Sequence, residues 1–350
     1  MSPIALHDTS ALRNDGRPPA NTCSPADGLI GLGSDALVRG LPWATLLAAA
    51  CLGVLDRGFT RTWDTVPFLV SLFLMGMPHG AMDWVVDRRL RRETGLVQGL
   101  LGFRWYLAWM VAIAALLYIV PVIAVVGFFV LTVIHWGLGD FDATSPRAGT
   151  GFDRVAGIAG RGFLILGTAF AFDPAASWGP FASLIGERTT SPAALSIAQG
   201  TGIAALGLGA VLAGFWFARR WRTGDRRGAV MDLVESTLIV TAIALTDPLF
   251  GIGVYFLGTH SFRHSVRLAG TSEVMPEGSA GQSLVHRLWT MHLASLPLLV
   301  PTFVLVAAWC RLQFGTIDAA GLTVTMLGFF LVTTLPHHLL GLRLPSIRSV

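Results

Sequence analysis

From Trp105 to Leu138 the chain runs for 34 residues without one charged side chain. As a single α-helix that stretch would measure about 51 Å at 1.5 Å per residue, well beyond the roughly 30 Å hydrocarbon core of a bilayer. Pro121, which cannot donate to a helical carbonyl, divides it into two spans of ordinary length. Runs of about 20 apolar residues bounded by Arg, Pro or Gly-rich polar breaks mark ten stretches: 37–55, 66–86, 104–120, 122–139, 155–172, 195–218, 230–246, 249–268, 287–309 and 318–341. With 53% hydrophobic residues, 13% charged residues and a mean hydropathy of +0.62, the chain lacks the roughly one-quarter charged content of a soluble domain. The expected fold is all-α, a polytopic transmembrane helical bundle of about ten spans, with eight as the lower bound if some segments are re-entrant.

Every basic residue is Arg, 25 in all against 21 acids. The arginines cluster in short loops such as 88–92 and 219–227, where cytoplasmic retention of positive charge accounts for them. With the N-terminus inside, alternating loops place all but Arg57, Arg61, Arg188 and Arg311 on or near the cytoplasmic side, so both termini are expected there, in a multi-pass protein of a bacterial inner membrane. Nucleic acid is not an expected partner, because no recognition motif or aromatic-basic interleaving is present. Cys23, Cys51 and Cys310 form neither a CxxC pair nor an even framework, which points away from disulfide or cysteine-metal chemistry. The expected organisation is a polar, disordered tail over 1–36 that does not read as a cleaved signal peptide, one helical catalytic domain over 37–342, and a short tail over 343–350.

Histidine is costly inside a span and usually faces a partner or a cavity. His79 lies in MGMPHGAMDW, His135 in VIHWGLGD, His260 and His264 in GTHSFRHS, and His337 and His338 in TTLPHHLL. In the expected topology these fall in the C-terminal halves of spans 2, 4, 8 and 10, all crossing in the same direction, and so share one layer. His260 and His264 stand four residues apart, on one helix face. Gly76 and Gly80 beside His79, and Gly137 and Gly139 after His135, allow close approach of backbone or ligand. Asp83 and Asp140, one turn beyond these histidines, are candidates to accept a second ring N–H; as residues near helix ends they could equally be solvated caps.

Taken singly, each histidine is as well explained by helix-helix hydrogen bonding. Together in one layer, His79, His135, His260 and His264 point to a metal, and an all-imidazole set suits iron, copper or zinc better than calcium or magnesium. Four imidazoles on Fe(II) would leave positions for O2, and the membrane would supply a lipid-soluble substrate. His337 and His338 are about 100° apart on a helix, so His337 alone is expected at the pocket, supporting the ligands. His286 and His292 are expected at the interface or in packing; the 11 Trp and 21 Phe could line a tunnel for such a substrate, although such bands are more often lipid-facing or interfacial anchors. Asp232 and Glu235 are expected to complement a helix N-terminus.

The blocks PHGAMD (78–83), HWGLGD (135–140), HSFRH (260–264) and TLPHHL (334–339) resemble those of the bacterial Brp/Blh family of integral-membrane β-carotene 15,15'-dioxygenases, in the same order, across about 280 residues. Trp84 and Thr259 depart from the family's usual residues. The resemblance implies central oxidative cleavage of β-carotene, or a close carotenoid, by O2 at Fe(2+) to give retinal. It implies iron ligation by His79, His135, His260 and His264, and a retinal-binding rhodopsin as a candidate product acceptor. Three other readings stand beside it: another metal-dependent lipid oxygenase, such as a diiron or copper desaturase; a transporter or proton-relay protein whose histidines titrate along a water path; and a non-catalytic assembly partner for a retinal-binding protein.

Overall fold

The computed structural model describes residues 25–93, 95–145, 151–187, 190–271, 274–275 and 282–344. The first two-thirds of the expected N-terminal tail, His7, Cys23 and residues 345–350 lie outside them. The described residues are organised as helices: α1 Pro25–Leu55, α2 Arg57–Thr62, α3 Val66–Leu90, α4 Leu96–Ile119, α5 Pro121–Thr144, α6 Phe152–Phe172, α7 Pro174–Leu184, α8 Pro192–Arg222, α9 Arg226–Leu245, α10 Pro248–Gly270, α11 Leu284–Phe314 and α12 Ala319–Gly341. Helix α1 begins inside the segment read as a tail, although only Leu37–Leu55 of it is apolar enough to cross a membrane.

Among the described residues nine helices have the length and apolarity of membrane spans, so the protein is an integral, multi-pass membrane protein. The expected stretch 249–268 is helical but is not among the nine; Arg263, Arg267, His260 and His264 lie within it. Pro121 opens α5 at its first position, where its missing N–H is no loss, and separates it from α4 as expected. The short α7 was not anticipated: Asp173 caps it, accepting from the Ala176 N–H.

Helices α6 and α8 share the most extensive contact in the fold, and glycines make it possible. A Cβ on Gly167 would stand 2.4 Å from the Leu206 backbone nitrogen, and one on Gly202 would stand 2.5 Å from that of Ala171. Where lipid gives no hydrophobic drive between helices, such close backbone approach supplies the packing. Gly137 and Gly162 bring α5 and α6 equally close, each facing the other helix's carbonyl, of Ile158 and Val133 respectively.

Asp232 and Glu235 do not cap α9. Glu235, fully buried, accepts from both terminal nitrogens of Arg263 at 2.8 Å, from Arg161 and from the Trp43 indole at 3.0 Å. Arg263 also reaches Asp140 at 3.1 Å and the Val38 carbonyl at 3.1 Å. Asp232 binds Arg220 and accepts from the Trp216 indole at 3.0 Å, while Arg39 stands 3.4 Å from both acids. An unpaired charge among membrane helices is expensive, so acids and arginines that lie far apart in sequence are brought into one network.

Two stability measurements in detergent check this description. Gly167→Ala forces backbone apart and is expected to cost about 1–3 kcal/mol, with a lowered thermal midpoint, whereas Gly207→Ala, with open space at its Cβ, is expected to be neutral or to stabilise by about 0.5–1 kcal/mol. Glu235→Ala strands buried arginines and is expected to cost about 3–5 kcal/mol. Removing Asp153, whose partner Arg219 is half exposed, is expected to cost under about 1 kcal/mol.

Candidate metal centre

Two helices carry π-helical turns, and both place histidines. In α3 the turn Leu72–Gly76 immediately precedes Pro78 and His79. Proline removes one helical N–H and its ring crowds the carbonyl four residues back, and the widened turn accommodates both. In α10 the turn Phe256–Ser261 contains His260 and leads into Phe262–Gly270, which carries His264. The two turns pack together, with Gly76 so close to Phe256 that a Cβ would lie 2.8 Å from the Phe256 ring. Such turns recur at functional sites.

The rings converge. His79 is 4.9 Å from His264, 5.3 Å from His337 and 6.4 Å from His260, measured between centroids. His135 is 5.0 Å from His260 and 5.2 Å from His337, and His264 is 5.2 Å from His337. All five imidazoles are buried. Gly139 makes room for this arrangement: a Cβ there would meet the His260 ring at 3.3 Å. Gly80, by contrast, faces open space.

Hydrogen bonds fix which nitrogens remain. His79 donates from Nδ1 to the Met75 carbonyl at 2.7 Å, and His337 donates from Nδ1 to both oxygens of Asp83 at 2.9 and 3.0 Å. Asp83 also accepts from the Tyr106 hydroxyl at 2.7 Å. Thus Asp83 holds a histidine, but His337 rather than His79. Asp140 holds none: it accepts from Tyr255 at 2.9 Å and pairs with Arg263. Neither acid is a solvated cap, since both are buried. His338 reaches the far side of the site, its Nδ1 3.3 Å from that of His135. Both members of the 337–338 pair therefore touch His135. Sequence reading missed Tyr106, Tyr255 and His338; two tyrosine hydroxyls in apolar spans were the available signal, because polar groups there need partners.

The donors suit a borderline metal ion. Imidazoles sharing one ion at bonds of about 2.0–2.1 Å have centroids roughly 4.5 Å apart at right angles and roughly 5.2 Å apart at the tetrahedral angle, and the shorter spacings here lie in or near that range. His337 Nε2 and both nitrogens of His260 are buried without a hydrogen-bond partner, a condition that costs about 1–3 kcal/mol per group unless something binds them. Among the described residues no three His, Cys, Asp or Glu side chains form a finished metal site as they stand.

Beside the rings lies a cavity of about 240 Å3. Polar side chains, among them His79, His135, His260, His337, Asp83 and four threonines, form part of its wall, and aromatic and aliphatic side chains from α3, α4, α5, α10, α11 and α12 the rest. Phe128, Phe256 and Phe330 line it and continue into a second recess of about 70 Å3. Leu107, Leu298 and Leu305 also line the larger cavity while remaining exposed on the apolar exterior, so its mouth opens toward lipid between α4 and α11. His286 and His292 take no part in the cluster; His292 stacks on Trp289 at 6.0 Å.

Residues 70–344 match the β-carotene 15,15'-dioxygenase family. A protein of Halobacterium salinarum described as a probable β-carotene 15,15'-dioxygenase, Blh, is 28% identical over 270 residues, covering 70% of this chain and 73% of that one. No solved structure matches the chain. The matched region takes in every residue that lines the larger cavity, from Gly76 to His337, and on that match the chain belongs to the β-carotene 15,15'-dioxygenase family.

Proposed function

We propose that this chain cleaves β-carotene, or a closely related carotenoid, at its central double bond with O2, at a ferrous ion held by His79, His135, His260 and His264. The carbon-carbon double bond breaks and each carbon takes one oxygen atom, so one C40 polyene and one O2 give two retinal molecules and nothing is left over. Bound iron would supply the one-electron chemistry that lets O2 react with a closed-shell polyene.

The observation that carries this reading is a buried imidazole cluster forming one wall of an apolar cavity that opens toward lipid. The protein's own share is orientation and exclusion of water. Thr132, Thr302, Thr333 and Thr334 line the cavity, yet each hydroxyl donates to a carbonyl of its own helix, at 2.6–3.0 Å. Their donors are thereby taken, which suits a hydrocarbon and leaves little for a water chain. This counts against a proton relay. The Met75 carbonyl and Asp83 fix His79 and His337 in the tautomer whose Nε2 is unprotonated. The arginine asymmetry supports an orientation with both termini on the cytoplasmic side of a bacterial inner membrane, and released retinal would re-enter lipid or pass to a rhodopsin.

In carotene-producing cells, expression of the wild-type chain is expected to bleach the orange colour and yield retinal. His264→Ala is expected to abolish retinal while the protein stays inserted; cleavage at a near-normal rate would reject the ligand assignment. Stoichiometric iron in purified protein is expected, and its absence would favour a relay. Leu298→Trp, at the mouth, is expected to raise KM for carotenoid more than it lowers kcat, with iron content unchanged.

A further inference from the structure

We infer that His337 is itself a metal ligand, a fifth imidazole in addition to His79, His135, His260 and His264; this rests on the proposed metal site. Its place in the cluster argues for it. His337 lies 5.2–5.3 Å from three of the other rings, the number of partners that His79 has within the set of five and more than His260 or His264 has. A residue that only supported the ligands would sit behind one of them; His337 faces His79, His135 and His264 together and forms part of the cavity wall.

Its hydrogen bonding gives the same answer. Asp83 engages Nδ1 with both oxygens and is itself held by Tyr106, so the imidazole is fixed in rotation. Nε2 is left buried with no partner. A carboxylate on one ring nitrogen, with the other nitrogen presented unprotonated, is how metal-binding histidines are oriented and made more basic. Within the cluster, His337 is the imidazole with a carboxylate behind it. His79 leans on a carbonyl and His135 on His338. Pro336 precedes His337 inside α12, and Leu340, one turn on, is packed in the core with Met82 and Leu268, which holds the ring's height in the bundle.

A fifth imidazole would occupy one coordination position that a four-histidine site would leave open, while the polyene needs none. The two cases differ in ligand count, which can be measured without turnover.

The test uses the full chain purified in detergent and loaded with Fe(II) or Co(II). X-ray absorption fine structure at the metal edge is expected to count five imidazoles in the wild type and four in His337→Gly, with ferrous affinity falling by more than the 10–100-fold that loss of a supporting residue costs. Imidazole added to the buffer is expected to restore metal uptake in His337→Gly, a rescue that a misfolded protein would not show. An unchanged imidazole count in His337→Gly, with affinity weakened by 100-fold or less, would overturn the inference and leave the four-histidine site standing. A wild type that holds no stoichiometric metal would overturn both.

Discussion

Glu235 is the point through which the site depends on the rest of the bundle. Its two oxygens meet Arg263 of α10, Arg161 of α6 and both Arg39 and Trp43 of α1, while Asp140 of α5 joins through Arg263. Five helices thus meet around one buried acid on α9. Arg39, Arg161, Arg220 and Arg263 face Asp140, Asp225, Asp232 and Glu235, so the charges balance. A buried cluster of this kind adds little net stability over apolar packing of the same volume; what it sets here is position. Arg263 lies between His260 and His264 on the same helix, so the pairing that neutralises it also fixes the height and rotation of the helix segment that presents both rings.

The π-helical turns complete that placement. An α-helix offers a side chain every 100°, and a helix containing one extra residue per turn reorients everything after it. In α3 the widened turn precedes His79, and its Met75 carbonyl takes the His79 N–H. In α10 it contains His260, whose ring stacks with Phe256 at 5.8 Å. Because the two turns lie against each other, with Gly76 giving up its Cβ space to Phe256, neither can relax without moving the other. His79, His260 and His264 are held in or beside irregular helix, and the irregularity is braced from both sides.

Much of this could be read from the sequence, and the exceptions share a cause. The spans were legible because lipid demands long apolar runs, and His79, His135, His260 and His264 stood out because imidazoles are scarce in such runs. Pro121 and the close approach at Gly137 and Gly139 followed from local chemistry. What failed depended on registry between helices distant in sequence. Asp83 is four residues from His79 yet serves His337, 254 residues away, and Asp140, five residues from His135, serves Tyr255 and Arg263. Asp232 and Glu235 look like ordinary helix-start acids until the arginines of four other helices are brought against them. The positions of His337 and His338, 100° apart, could not both be assigned without knowing that His135 lies between their directions. Which of the phenylalanines would line a cavity was hidden for the same reason: apolar composition does not distinguish a wall facing lipid from one facing a cavity.

The size of that cavity bears on where a long substrate would be cut. At about 240 Å3 it falls below the roughly 300–1,000 Å3 of pockets that enclose drug-sized ligands, and a forty-carbon polyene cannot lie wholly inside it. One end must extend through the mouth at Leu107, Leu298 and Leu305 into lipid. The other can extend past the shared wall of Phe128, Phe256 and Phe330 toward the recess of about 70 Å3. In the proposed reading, an internal section of the polyene would then lie against His79, His135 and His260, between the opening and the recess.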